Sequence, residues 1–333
     1  MLSEIKIGGL TFSPPIALAP MAGYSDYPMR CIVRELGGCG LFYTELISCH
    51  SVIHAHEKTK ALLKSDRNEY PLAVQLFGSH LEFMPAAASE MEALGAGLID
   101  INMGCPVSKV VKTGGGAVLM KEPETAAKIV RAVRKAISIP LTVKIRIGWD
   151  SNSINGPEFA ARMVDSGAQC VAVHGRTRAQ GYAGKADWNE IEKVVKAVKK
   201  TDPTVPVIAN GDIVDPLTAK KIIDVTGCDG IMIGRAAMGA PWLFRRVARY
   251  LEDGTIIDDP SYAEKGELAL RHLTLLKETY GEKGASLHIR RIACCYGRGK
   301  LGVAEFRRRI VAVTSTEEAE AVIKDFFQGE NNA

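Results

Sequence analysis

The stretch Leu98-Ile99-Asp100-Ile101-Asn102-Met103-Gly104-Cys105-Pro106 opens as a short apolar strand, Leu98 to Ile101, and turns polar as soon as the strand ends. The same form recurs along the chain. Short runs rich in Val, Ile and Leu, each followed by a helical pattern, predict strands at Ile16 to Ala19, Leu41 to Thr44, Leu72 to Leu76, Leu98 to Ile101, Leu141 to Ile145, Val171 to Val173, Val207 to Ala209 and Ile231 to Ile233. Eight alternating units over about 230 residues are the pattern of a (β/α)8 TIM barrel, and near-continuous apolar strands suit a parallel sheet covered on both faces. A doubly wound open sheet is the alternative.

The strand ends favour the barrel. In order they carry Pro20-Met21-Ala22-Gly23, Glu45, Gln75, Asn102, Lys144 with Arg146, His174, Asn210-Gly211-Asp212 and Gly234-Arg235. Barrel enzymes build their sites at the carboxyl ends of the strands, so these residues would meet at one mouth. Gly211 and Gly234 follow the seventh and eighth strands, where barrels commonly hold a phosphate, and Arg235 adds a charged donor. The pattern fades near Trp242 to Tyr250, and Asp253, Gly254, Asp258, Asp259 and Pro260 form a polar break. Residues 1–250 are therefore expected to form the barrel and residues 251–330 a small all-α helical bundle. Its helices are expected at Glu264 to Tyr280, Leu287 to Tyr296 and Ser315 to Phe327, the last opened by the capping signal Ser315-Thr316-Glu317-Glu318.

Composition bounds the class. With 333 residues, 47% hydrophobic and 24% charged, the chain can bury a large core and is neither a disulfide-stapled miniprotein nor a disordered one. The formal net charge is only +4, but it is unevenly placed: Gly281 to Ile310 holds eight basic residues against two acidic ones, so this segment is +6 and the rest of the chain −2. A basic segment on a slightly acidic body suits a polyanion-facing surface, and equally a solvated helix face. The eight cysteines form no C-x-x-C pair, which points to reduced thiols. Met1 to Gly8 lacks an apolar signal region, and no segment approaches the roughly 18 apolar residues of a membrane span, so the expected compartment is the cytoplasm.

Three residues at the mouth, Lys144, Arg146 and His174, place cations on neighbouring strands and call for an anion. A reduced flavin is one, since its pyrimidine end gathers negative charge and Gln75 could bond the same edge. A Schiff base on Lys144, as in barrel aldolases, competes with this reading. Cys105 lies in a loop at the mouth. With an ordinary thiol pKa of about 8.5 and no adjacent base, it is better suited to donating a proton than to attacking, and a proton donor opposite a hydride donor can add two hydrogens across a double bond. Lys109, Lys112 and Gly114-Gly115-Gly116 follow, expected as a basic, flexible loop able to close over an anionic substrate.

Taken together, these motifs resemble those of a known family. Pro20-Met21-Ala22-Gly23, Gln75-Leu76-Phe77-Gly78, Asn102-Met103-Gly104-Cys105-Pro106, Val143-Lys144-Ile145-Arg146, His174-Gly175-Arg176-Thr177-Arg178, Tyr182 to Trp188, Asn210-Gly211-Asp212 and Ile233-Gly234-Arg235 are similar to the motif series of the tRNA-dihydrouridine synthases, above all the bacterial B-type. The resemblance implies an FMN enzyme that takes hydride from NADPH, with NADH as the other possible donor, and reduces a uridine of tRNA to 5,6-dihydrouridine. Hydride would go to carbon 6 and a proton from Cys105 to carbon 5. It implies FMN binding by Pro20, Met21, Ala22, Gln75, Lys144, His174, Asn210, Gly211, Asp212, Gly234 and Arg235. Asn102, Lys144 and Arg178 would hold the substrate, and no metal is implied. The helical domain would bind tRNA, with the target base turned out of its stack. Neither a membrane nor an obligate protein partner is implied.

The C-terminal run Arg290-Arg291-Ile292-Ala293-Cys294-Cys295-Tyr296-Gly297-Arg298-Gly299 departs from the B-type pattern, in which an aromatic pair follows a basic residue. This leaves the choice of tRNA position open. The nearest rival is an FMN barrel acting on a free pyrimidine, like a dihydroorotate dehydrogenase, which has no need of a basic helical appendage. A non-catalytic RNA-binding protein has no need of eight site-like strand ends. His50, His54 and His56 have metal-ligand spacing but no convincing third ligand, and are expected as a polar helix at the mouth. Adjacent Cys294 and Cys295 are expected as packing residues, not a redox pair.

Overall fold

The computed structural model of the chain describes residues 4–54, Glu69 and 71–328. Eight parallel strands close on themselves: β1 (Ile16–Leu18), β2 (Leu41–Tyr43), β3 (Leu72–Phe77), β4 (Leu98–Met103), β5 (Leu141–Arg146), β6 (Val171–His174), β7 (Val207–Asn210) and β8 (Gly230–Ile233). Each pairs with its neighbours in sequence, and β8 returns to β1 through Ile231 opposite Ile16. Phe42 opposite Leu72 joins β2 to β3, so the sheet has no edge. The barrel replaces the open-sheet alternative. Several strands run further than their apolar cores suggest, so Asn102, Arg146, His174 and Asn210 are strand residues.

The two layers of the barrel explain why its strands are apolar on both faces. Outward residues such as Val74, Ile99, Ile101 and Val143 pack under the surrounding helices, while Ala17, Ala73, Ala172, Ile208 and Met232 point to the interior. A hairpin of Ile5–Ile7 and Leu10–Phe12 precedes the barrel, and its Ile5, Ile7 and Phe12 join that inner cluster. The amino-terminal end is thereby plugged, and the carboxyl end is left for the site.

Side-chain caps mark where the helices begin. Asp187 accepts from the N–H groups of Asn189 and Glu190 at the start of Trp188–Thr201, and Asp215 makes a capping box with Thr218 before Pro216–Thr226. Ser261 does the same with Glu264 at the start of the helical domain. Each such cap contributes about 1 kcal/mol.

A second apolar core, built around Leu273, Leu276, Ile289, Ile292, Phe306, Ile310, Ile323 and Phe327, lies in the C-terminal helices. The helix Leu243–Asp253 still packs on the barrel core through Leu243, Phe244 and Val247. Beyond it the polar connection is tied down: Trp242 Nε1 donates to Asp259 at 3.2 Å and Arg246 Nε to the Ile257 carbonyl at 2.6 Å. The two helices expected between Glu264 and Tyr296 form one run, Tyr262–Tyr296, that breaks at Gly281 (φ 68°). Val303–Ala312 is a further helix, hidden in the sequence because only Phe306 and Ile310 turn inward. Thr316–Gln328 closes the bundle, with Ser315 Oγ accepting from the Glu318 N–H at 3.2 Å.

Among the described residues no helix is long and apolar enough to cross a membrane. None of the eight cysteines is joined in a disulfide. No group of three or more His, Cys, Asp or Glu there could hold a metal. His50 and His54 lie on the helix Cys49–His54 and stack around Phe83, whereas His56 lies outside the described residues.

Candidate active site

A cleft of about 990 Å³ opens at the carboxyl ends of the strands, a size suited to a cofactor-sized ligand. Of the residues expected there, Pro20, Met21, Ala22, Asn102, Cys105, Lys144, His174, Asn210, Gly211, Asp212, Gly234 and Arg235 line it. Two do not. Gln75 is fully buried, its Nε2 donating to Asp100 at 2.7 Å and its Oε1 accepting from Asn102 Nδ2 at 2.8 Å, so it stands beneath the cleft wall. Arg178 lies outside the lining, with its guanidinium 4.6 Å from the Trp149 ring and its Nε buried without a partner.

Strand register brings the polar ends together. Asn102 pairs with Lys144 across β4 and β5, Arg146 with His174 across β5 and β6, and His174 with Asn210 across β6 and β7. Lys144 Nζ donates to Asn210 Oδ1 at 3.2 Å, and Asn210 Nδ2 donates in turn to the Met232 carbonyl at 2.7 Å. Burial, with the Arg146 charge behind it, pulls the Lys144 ammonium down to about 8. It is still largely charged at neutral pH.

The other two members of the cation cluster behave differently from the expectation. Burial, reinforced by Lys144 and Arg146, pulls His174 well below its ordinary value, so it is neutral. Arg176 Nη1 lies 3.3 Å from His174 Nε2, and because a guanidinium only donates, the ring proton sits on Nδ1. Arg146 is consumed by backbone: Nε donates to the Gly104 carbonyl at 2.7 Å, and Nη1 to those of Thr177 at 2.6 Å and Gly181 at 2.8 Å. It ties the Cys105 loop to the loop after β6.

Asp212 is a similar junction. It accepts from Arg176 Nη2 at 2.8 and 2.9 Å, from the Ala186 N–H at 2.7 Å and from Arg235 Nη2 at 3.3 Å. Burial pushes its carboxyl up, but these partners win and hold it below the usual range. Tyr182, on the loop after β6, is exposed over the cleft with Arg235 5.1 Å and Arg146 5.7 Å from its ring.

Cys105 is half-buried at the cleft wall. Asn102 Oδ1 accepts from its N–H at 2.8 Å and from that of Gly104 at 3.2 Å, and its carbonyl accepts from the Ala117 N–H at 3.1 Å. Burial pushes the thiol up, against the opposing Val107 backbone and the charges of Arg146 and Lys144. At neutral pH it is therefore an S–H, able to donate a proton. The glycines beyond are not the flexible lid expected of them. Gly116 (φ 60°) is buried, and a Cβ there would meet the Cys105 carbonyl at 2.7 Å, so the run packs under the loop as a tight turn. Lys109 lines the cleft and Lys112 does not.

From the helical domain, Arg298 reaches the cleft. The rest of the +6 segment divides. Arg290 donates twice to the Val313 carbonyl, at 3.0 and 2.6 Å, and Lys300 is buried against Tyr262 and Phe326. Arg291 bonds the Gly23 carbonyl and lies 4.7 Å from the Tyr24 ring, where a Cβ on Gly23 (φ 76°) would collide with it. Arg308 pairs with Glu305 and Arg309 with Asp325. Much of the charge thus builds the domain and its seam with the barrel. Tyr280 donates to buried Asp26 at 3.1 Å and stacks on His288 in that seam.

A TIM barrel whose cleft, at the carboxyl ends of its strands, sets a charged lysine, a neutral histidine and two glycine strand ends against a protonated cysteine belongs to the barrel enzymes. Comparison with known proteins is more specific. Residues 17–331 match the dihydrouridine synthase (Dus) family. A probable tRNA-dihydrouridine synthase 1 of Synechocystis sp. is 38% identical over 319 residues, covering 96% of this chain and 88% of that protein. The tRNA-dihydrouridine synthases B of Pseudomonas aeruginosa and Pseudomonas putida are each 36% identical, covering 99% and 98% of this chain and 98% and 95% of their own. The chain belongs to the dihydrouridine synthase family, and it is an oxidoreductase.

Arg176 and Tyr182 stand in the quoted motifs and Arg298 in the basic segment with no individual site role, and Asp100 is missed altogether. Asp100 carried a signal: a carboxylate inside the run Leu98-Ile99-Asp100-Ile101 needs a buried partner.

Proposed function

We propose that this chain reduces the 5,6 double bond of uridine in tRNA to dihydrouridine, using bound FMN and NADPH, or NADH in its place, with Cys105 as the proton donor to carbon 5. The observation that carries the reading is Cys105 itself, a thiol kept protonated by burial on the wall of a cofactor-sized cleft, in a chain whose relatives bear the tRNA-dihydrouridine synthase name.

The cleft fits a flavin mononucleotide in size and in donor set. Gly211 and Gly234 bring backbone to the cleft at the ends of β7 and β8. A Cβ on Gly234 would already touch Ala19 at 3.5 Å and Met21 at 3.8 Å, so the missing side chain keeps that room for a ligand, and Arg235 stands beside it for a phosphate. Lys144, His174 and Asn210 would face the ring, with the Pro20 to Ala22 turn against it. Bound there, the flavin supplies the hydride that goes to carbon 6.

The chain's own residues do the rest. Lys144, still charged, favours negative charge at the ring edge or on a uracil carbonyl. Asn102 keeps Cys105 at the wall by holding its N–H, and Arg146 keeps the same loop from the other side. Gln75, bonded to Asp100 and Asn102, would bond the ring edge with the amide hydrogen that Asp100 does not take, and Asp212 would act through Arg235. Arg178 would meet the RNA from the loop after β6. Arg298 extends the cleft toward the helical domain, which would bind the tRNA and present the turned-out base.

The test is spectroscopic. The purified protein should carry a flavin absorbing at about 450 nm, which NADPH bleaches and unmodified tRNA restores under anaerobic conditions. A bleached flavin that tRNA leaves unchanged but a free pyrimidine restores would replace the tRNA reading.

A further inference from the structure

Asp100 stands in the middle of β4, fully buried, at the foot of an unbroken chain of hydrogen bonds that ends at Cys105. Thr142 Oγ1 donates to its Oδ1 at 2.5 Å and Gln75 Nε2 to its Oδ2 at 2.7 Å. Gln75 Oε1 accepts from Asn102 Nδ2 at 2.8 Å, and Asn102 Oδ1 accepts from the N–H groups of Cys105 and Gly104. We propose that Asp100 is a positioning residue for Cys105: its carboxylate sets the direction of two amides in series and thereby aims the Asn102 carbonyl at the Cys105 loop.

Donor and acceptor counts set those directions. An ionised carboxylate only accepts, whereas a carboxamide can present either end. With Asp100 at the foot, Gln75 must turn its NH2 down, which leaves its oxygen facing Asn102. Asn102 must then turn its own NH2 toward Gln75, which leaves its oxygen for the loop. Reversing either amide would set NH2 against N–H or oxygen against carboxylate in a buried place, at the cost of unmade hydrogen bonds. Burial pushes the Asp100 carboxyl up to about 6, opposed by the Thr142 and Gln75 bonds and the Lys144 charge, so it remains mostly ionised at neutral pH.

The inference rests on the reading of Cys105 as the proton donor, but its test has a readout independent of turnover. Cys105 in the FMN-loaded protein is alkylated with iodoacetamide and followed by peptide mass spectrometry. In Asp100→Asn the foot can donate as well as accept, the amides lose their direction, and Cys105 should react about threefold faster or more. The double variant Asp100→Asn with Gln75→Glu moves the acceptor-only group one step up the chain. The new amide at position 100 can donate to the new carboxylate at position 75, that carboxylate accepts from Asn102, and the Cys105 rate should return toward wild type. If Asp100→Asn fails to fold, Gln75→Leu should raise the Cys105 rate and Gln75→Glu should not, because two facing buried carboxyls share one proton, which lets position 75 donate to Asp100 and still accept from Asn102.

In single turnovers, Asp100→Asn should slow reoxidation of the reduced protein by tRNA about tenfold while leaving its reduction by NADPH within about twofold. An unchanged Cys105 rate in Asp100→Asn, or a double variant as fast as or faster than the single one, overturns the proposal. Wild-type protein that forms no dihydrouridine would instead remove the functional reading, and the alkylation contrast would still decide the relay.

Discussion

Arg146 Nε donates to the Gly104 carbonyl at 2.7 Å, and this bond joins the end of β5 to the loop that carries Cys105. With its other bonds to Thr177 and Gly181, the guanidinium works as a three-way backbone staple. Lysine offers one ammonium and cannot span three carbonyls. Arg146→Lys should therefore keep bound FMN but lower uridine reduction at least about tenfold, read as kcat in a dihydrouridine assay alongside flavin content. Equal loss of flavin and activity would mean that Arg146 serves the cofactor.

A pH dependence follows from Lys144. Its ammonium, pulled down from 10.5 to about 8 by burial and Arg146, loses its charge as the pH rises through that value. Uridine reduction should fall on the alkaline side above about pH 8, because the neutral amine no longer stabilises negative charge at the site. Lys144→Arg, charged throughout that range, should lack this limb even if slower. A limb that persists in the variant belongs to another group.

Asp212 and Arg176 form the ion pair that joins the loops after β6 and β7, with Arg176 only 2% exposed. Asp212→Asn leaves a buried guanidinium with a neutral partner. Urea unfolding should show a loss of about 2 to 3 kcal/mol, below the usual cost of breaking a fully buried pair because Asp212 is partly exposed. A change under about 0.5 kcal/mol would mean that the carbonyls of Ala183 and Gly184, which also accept from Arg176, suffice alone.

The basic C-terminal segment separates into residues that hold the domain and residues that face outward. Arg298→Glu and Arg307→Glu should weaken tRNA binding and lower the slope of log Kd against log salt by about one per lost phosphate contact. Arg290→Ala should instead lower stability, since its partner is the Val313 carbonyl. An unaltered slope in both charge reversals would place the RNA elsewhere.

How far the sequence reveals this molecule depends on where each signal is local. The barrel was legible because each strand is a short apolar run and most carry a polar residue at or just beyond the end, and the register merely lines those residues up. Lys144, His174, Asn210 and Cys105 were legible as mouth residues for the same reason. What was not legible is how side chains share their bonds across strands. Arg146 reads as an anion-binding cation until its three carbonyl partners, up to 42 positions away, are seen. Gln75 reads as a ring-edge donor, and its bonds to Asp100 and Asn102 leave no mark in the sequence. The glycines at 114–116 read as a flexible loop because close packing against Cys105 and Gly78 leaves no mark in composition. Likewise the +6 segment reads as one face because Arg290 and Lys300 spend their charge on partners that lie far along the chain.

Whether this chain makes dihydrouridine in tRNA, with Cys105 delivering the proton, is decided by the product itself. Unmodified tRNA is incubated with wild-type protein, FMN and NADPH, and in parallel with Cys105→Ala, followed by mass spectrometry of the tRNA fragments. Wild type should leave dihydrouridine at defined positions. The variant should bind FMN and be reduced by NADPH, yet lose most of the product. Wild-type protein that leaves every uridine unreduced, or a Cys105→Ala variant that reduces them at an unchanged rate, would contradict this mechanism.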